Sequence, residues 1–381
     1  MPKTKILINF ITSDGKVINP LLWKIKNYPK NEFDITLFCD KKVKGQVEKG
    51  QYKFIELPYT NETKSKISFL FESLKRNLVA LSYIKRVVGN FDVVYSVSSV
   101  LDLIIFPFLV KMFNRKMIWV TVFDNVVPFS DPGSKLTRVL AWLFFKISLI
   151  LIGKCDYIFV STPELMKFLV KNGFNKSKLI QSNLGCDEES IISAKYNEKY
   201  NYDALYLGRI NETKGIDDLL EVLKIVKEKY PKFTLALVGG GDELTVSKYK
   251  KKIMKEGLDG NIKMLGWVSE SIKYELLKSC KTFWFLSISQ CESFGIALLE
   301  AVCSGKPAFV YDLPQMKNIY SNGEINIFRI HDVKSVAREV LNVFNKRSFI
   351  NNKGMKLLGK YTWKSAAMKE VNILEKVFGY V

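Results

Sequence analysis

The sequence predicts an α/β protein of two doubly wound domains that face each other across a cleft. Three observations predict it. Short β-rich runs alternate with longer helical patterns along all 381 residues. Several of these runs are apolar throughout, as expected for parallel strands covered by helices on both faces. A polar stretch without periodicity, DEESIISAKYNEKYNYD over 187–203, reads as a linker between halves of ordinary domain size.

In the first half the strand-forming runs are 5–10, 34–39, 52–57, 92–97, 117–122 and 157–161; in the second they are 204–208, 233–239, 262–265, 282–287 and 307–311. The expected domains are 1–185 and 186–362. Formal net charge is +20, which suits an anionic partner such as nucleic acid, an acidic membrane surface or a phosphorylated substrate. Six cysteines without a C-x-x-C pair, and a single histidine, His331, argue against zinc. They read as reduced thiols of a cytoplasmic protein. The start, MPKTKILINFITSDG, reads as strand and turn, not as a signal peptide. VLAWLFFKISLILIG is interrupted by Lys146, so no membrane span is expected.

The most informative motif is ESFGIALLE, 292–300, in which Glu292 and Glu300 bracket a turn and the start of a helix. A strand feeding such a turn puts a helix N-terminus at the carboxyl edge of a parallel sheet, where free N–H groups and the helix dipole favour an anion. Carboxylates on either side could hold hydroxyls, so a phosphate flanked by sugars fits. Taken alone, Glu292 reads equally as a helix cap and Glu300 as a solvated position. After the run 204–208 comes GRINETKG, offering Gly208 for close approach and Arg209 and Lys214 as a fork and a point charge for two phosphates. A further run ends in Gly239, Gly240 and Gly241, a turn that suits a phosphate or is simply tight.

In this order, strand-GR-x4-KG, strand-GGG, then ESFGIALLE-AVCSGKP, the chain resembles the nucleotide-sugar domain of retaining glycosyltransferases of the GT-B fold, in particular glycosyltransferase family 4. The resemblance is concentrated in 203–323. It implies two Rossmann-like domains, an N-terminal acceptor-binding one and a C-terminal donor-binding one, with the final helix, 363–381, packing back on the first. It implies that Arg209 and Lys214 hold the donor diphosphate and that Glu300 binds the ribose hydroxyls. Glu292 lies by the donor sugar, and the backbone of Ser293, Phe294 and Gly295, with Ile296 after it, supplies N–H groups. The family needs no metal or cofactor, and this chain contains no D-x-D. Gly15 resembles the glycine turn after the family's first strand. Where the family usually shows an acceptor-side histidine, this chain reads VTVFDNVVP, with Phe123 and Asp124. Asp124 either polarises an acceptor hydroxyl or caps a turn.

Within 63–89, Ile67, Leu70, Leu74, Leu78 and Leu81 recur at helical spacing, with Lys64, Lys66, Lys75, Arg76, Lys85 and Arg86 against one acid, Glu72. This is either a core helix with solvated lysines or a basic amphipathic helix for peripheral contact with an anionic membrane. The second reading would suit a lipid-linked acceptor, as in cell-envelope polysaccharide or glycolipid synthesis. The expected function is hexosyl transfer from a UDP- or GDP-type sugar to a glycan or lipid-linked acceptor, without nucleic acid. The alternatives are a sugar-nucleotide epimerase or hydrolase on this fold, or a silent sugar-nucleotide-binding relative.

Overall fold

The computed structural model describes residues 2–11, 19–47, 52–58, 66–129, 135–289, 292 and 294–379, without the side chains of 19, 46, 66–70 and 135–137. The chain divides into two units, Met1–Asn183 with Trp363–Val381, and Leu184–Thr362. Every run predicted as a strand contains one.

In the first unit the strands are β1 (Thr4–Phe10), β2 (Phe33–Cys39), β3 (Lys53–Glu56), β4 (Val93–Ser96), β5 (Ile118–Phe123), β6 (Tyr157–Val160) and β7 (Leu179–Gln181). They form one parallel sheet in the order β3-β2-β1-β4-β5-β6-β7. Successive side chains of β1 go to opposite faces: Ile6, Ile8 and Phe10 join one core and Leu7 the other, all without exposed surface. The second unit carries β8 (Ala204–Leu207), β9 (Leu235–Val238), β10 (Ile262–Gly266), β11 (Thr282–Phe285), β12 (Ala308–Tyr311) and β13 (Asn326–Phe328). Their parallel order is β10-β9-β8-β11-β12-β13. The strands β7 and β13, three residues each, are too short to leave a pattern in the sequence.

Two readings change. The supposed linker 187–203 holds a helix, Glu188–Ser193, and a 3-10 turn, Glu198–Tyr200. Asp187 caps the helix by accepting from the Ser190 amide, and Ile191 is buried. One capped turn and one buried side chain are too little signal for periodicity. The stretch 63–89 is two helices, Lys66–Leu81 and Ile84–Val88, with 63–65, including Lys64, outside the described residues. The break follows from the Ser82 and Tyr83 amides turning back to the Val79 and Ala80 carbonyls.

The first of these helices is inverted. Its inward stripe carries Ser73, Arg76 and Asn77, which all donate to Asp102 in the first turn of the helix Leu101–Phe113. Arg76 is therefore not a surface cation: it is 1% exposed and ion-paired. The outward stripe carries Phe71, Leu74 and Leu78, which are 70%, 60% and 57% exposed.

The last helix, Trp363–Phe378, belongs to the first unit and packs Ala367, Val371 and Leu374 into the β1–β2 face. Its Glu370 has no exposed surface. It accepts from Lys24 Nζ (2.5 Å), Ser182 Oγ (2.5 Å), Tyr28 OH (2.8 Å) and Tyr95 OH (3.0 Å). Four donors replace the water that the carboxylate loses. Burial and the Glu370 charge together hold both tyrosine hydroxyls well above their usual range. Lys24→Met should cost about 3–5 kcal/mol, because it strands a buried charge. Adding Glu370→Gln should recover part of the loss. Urea unfolding of both variants measures this, and an unchanged midpoint for Lys24→Met would exclude the buried pair as a structural hub.

Candidate active site

The strand order of the second unit reverses between β8 and β11, and ligands of such sheets bind at the carboxyl ends of the strands at that switch point. The β8 loop runs through Gly208 and Arg209 into a 3-10 turn, Glu212–Lys214. The β11 loop runs from Leu286 to Gly295 and into the helix Ile296–Cys303. The two are stitched together. Ile288 donates its amide to the Thr213 carbonyl at 2.9 Å, and the Ser287 hydroxyl reaches the Thr213 carbonyl (3.3 Å) and Glu292 Oε1 (3.2 Å). The Lys214 ammonium and the Glu292 carboxylate form an ion pair from one loop to the other, 15% and 11% exposed. Two phosphate- and sugar-directed candidates from distant motifs thus meet at the switch point.

Only glycine permits this approach. Gly215 has φ 69°, and a Cβ there would overlap the Leu286 carbonyl. Gly239, at φ 122°, lies so close to Gly208 that a Cβ would overlap the Gly208 carbonyl. Gly208 in turn donates its amide to Val238 and Ile210 donates to Gly240. Gly240 lies against the indole of Trp267, which is 76% exposed.

The helix Ile296–Cys303 starts from Gly295 in the left-handed region, so its first-turn amides have no intrahelical acceptor. Phe294 is 1% exposed and meets the Tyr361 ring edge-on, so only its backbone can serve a ligand; Ile296 is half-buried. Arg209 is exposed, with its carbonyl fixed by the Tyr206 hydroxyl at 2.6 Å. Glu300 is buried among partners of its own. It is 2% exposed, and Oε1 already accepts from Lys273 Nζ (2.7 Å) and Tyr274 OH (2.8 Å). Burial pushes the Glu300 carboxyl above its usual range, against the opposing pull of Lys273 and Tyr274. The same carboxylate, with Glu270, keeps Lys273 high despite its own burial.

In the first unit Asp124 follows β5, half-buried, and accepts from Ser98 Oγ at 3.3 Å. Loss of hydration raises its pKa, opposed by the Ser98 hydrogen bond and the Lys24 charge. Phe123, in the place of the histidine, is a core residue stacked on Phe168 at 6.0 Å. Gly15 and Ser293 lie outside the described residues. Sequence reasoning missed Lys273, Tyr274, Ser287 and Trp267. Of these only Trp267, a tryptophan just past a strand-end glycine, left a signal. His331 is largely exposed but not isolated. Its Nδ1 lies 2.8 Å from Asp218 Oδ2, which also accepts from Tyr311 OH.

Residues 188–357 match the family described as glycosyl transferases group 1. That segment, rather less than half of the chain, is what resembles the group 1 glycosyltransferases. It is 27% identical over 201 residues to a phosphatidyl-myo-inositol mannosyltransferase of Mycobacterium leprae, covering 51% of this chain and 52% of that one, so the match spans about half of the relative. It is 27% identical over 269 residues to an uncharacterised protein of the cps region of Klebsiella pneumoniae, covering 67% and 71%. The fold follows Anabaena Alr3699/HepE, solved in complex with UDP-glucose, at a TM-score of 0.75 and 15% identity over 98% of this chain and 99% of that one. These are two Rossmann-like domains on the GT-B plan.

Two outcomes test this site. Gly215→Ala should destabilise the second unit by about 1–3 kcal/mol through backbone strain alone, read as a lowered melting temperature; an unchanged melt would mean the loop is not as tight as described. For Glu300, a folded pKa raised above the unfolded value adds stability that is fully present below the unfolded value. That stability is lost as pH rises through the folded one. Relative to Glu300→Gln, the wild-type melting temperature should fall as pH rises above the ordinary glutamate value of about 4.3; parallel pH profiles would contradict the direction.

Proposed function

We propose that the protein is a retaining, metal-independent glycosyltransferase that moves a hexose from a UDP- or GDP-type sugar to a glycan or lipid-linked acceptor. The observation that carries this reading is the Lys214–Glu292 ion pair across the two switch-point loops, inside the segment that matches the family. The relative named for phosphatidyl-myo-inositol and the neighbour solved with UDP-glucose support the substrate classes.

In this reading the donor diphosphate lies against the first-turn amides of the helix Ile296–Cys303, where the helix dipole favours it. Lys214 exchanges Glu292 for phosphate, and the exposed Arg209 adds a second charge. The freed Glu292 then accepts from a donor-sugar hydroxyl. The bond between the anomeric carbon and the diphosphate oxygen breaks, and the acceptor oxygen bonds that carbon on the same face. The acceptor proton passes to the leaving phosphate. Lys214 and Arg209 stabilise the charge growing there, the largest kind of term such a site supplies. Asp124 orients the acceptor hydroxyl. The envelope role, the place on the inner face of a membrane and the absence of a metal requirement belong to the same proposal.

A panel of UDP- and GDP-sugars should raise the melting temperature in the presence of EDTA, and one of them should support transfer with retained anomeric configuration, read by NMR of the product. Lys214→Ala should lower kcat by about 10²–10³. Full transfer by Lys214→Ala, or inverted product, would reject this mechanism.

A further inference from the structure

The first unit contains a cavity of about 370 Å³ that the catalytic reading does not use, a size within the range of small-molecule sites. Its walls are apolar: Leu74 from the inverted helix, Ile105 from the helix Leu101–Phe113, and Phe144 and Phe145 from the helix Lys135–Ile152. Its polar lining includes Ser99 and Asn125, which follow β4 and β5 and are sequence neighbours of the hydrogen-bonded Ser98 and Asp124. The lining therefore spans from the acceptor-side edge of the sheet to the helical surface.

That surface is apolar where a water-facing surface should not be. Besides Phe71, Leu74 and Leu78, the helix Lys135–Ile152 exposes Val139, Trp142, Leu143 and Ile150, a single stripe at helical spacing. Lys146 lies within that stripe, over the Trp142 ring at 5.4 Å. Exposed Lys75, Lys85 and Arg86 stand on the neighbouring helices. No helix among the described residues is long and apolar enough to cross a membrane.

We infer that this cavity holds the hydrocarbon chain of a lipid-linked acceptor and that the exposed apolar stripes of the two helices rest on an anionic membrane. The inference deepens the proposed function and rests on it for the word acceptor. An amphiphile matches the site end for end, with its chain among Leu74, Ile105, Phe144 and Phe145 and its polar head toward Ser99 and Asn125. The cations beside the stripes complement lipid phosphates. The same cations repel a second copy of a chain carrying +20, which disfavours self-association as the cover. Asp102 lines the cavity and would be costly next to hydrocarbon if it were unpaired. Here Arg76 is 1% exposed and Asp102 has three donors, so both charges are already compensated.

The test uses the full chain, a dansyl-labelled long-chain carboxylic acid as probe, and vesicles of phosphatidylcholine with or without phosphatidylglycerol. Saturable probe binding is expected, weakened roughly tenfold or more by Ala141→Trp, which fills the cavity from its exposed rim. Leu74→Asp, at a position 60% exposed and so harmless to the core, should do the same and should abolish flotation with the anionic vesicles. Equal probe affinity in wild type and both variants would overturn the inference. So would a concentration-dependent dimer, lost in Leu74→Asp, with no probe binding. Nucleotide-sugar melting shifts read on the same samples keep the two proposals apart. A donor shift without probe binding rejects only the lipid site, and probe binding without any donor shift rejects only glycosyl transfer.

Discussion

The second unit depends on how closely two backbones can pass at the carboxyl edge of its sheet. Gly215 against the Leu286 carbonyl and Gly239 against the Gly208 carbonyl leave no space for a Cβ. That spacing lets Ile288 bond Thr213 and puts Lys214 within reach of Glu292. A side chain at either glycine would part the loops and separate the charges before any effect on chemistry. Glycine here sets electrostatics through sterics.

Both units then anchor their elements with buried carboxylates. Glu370 fixes the returning last helix to Lys24, Tyr28, Tyr95 and Ser182. Asp102 turns the polar stripe of Lys66–Leu81 inward. Glu300 gathers Lys273 and Tyr274 under the helix Ile296–Cys303. Such charges are expensive to bury and tolerate few arrangements, because each donor must stay in place to offset lost hydration. The Asp102 hub has a consequence at the surface. By taking the polar side chains inward, it leaves Phe71, Leu74 and Leu78 outward, and so creates the apolar face.

The sequence by itself determined the alternation of strands and helices, since continuous apolar runs admit little but buried parallel strands. It also determined the glycine-bearing turns and the order GR-x4-KG, GGG, E-x7-E, because each is local: a few adjacent residues suffice to define it. The three-residue β7 and β13 and the turn-sized helix Glu188–Ser193 escaped, being shorter than any period. Only the tertiary structure decided which charges are surface and which are core. Arg76 read as one of six cations on a basic face, yet its partner Asp102 lies 26 residues away in sequence. Glu300 taken alone read as a solvated position, yet it is buried against Lys273 and Tyr274 from the helix before β11. An ion's fate rests on what long-range packing brings beside it, and no local pattern carries that information.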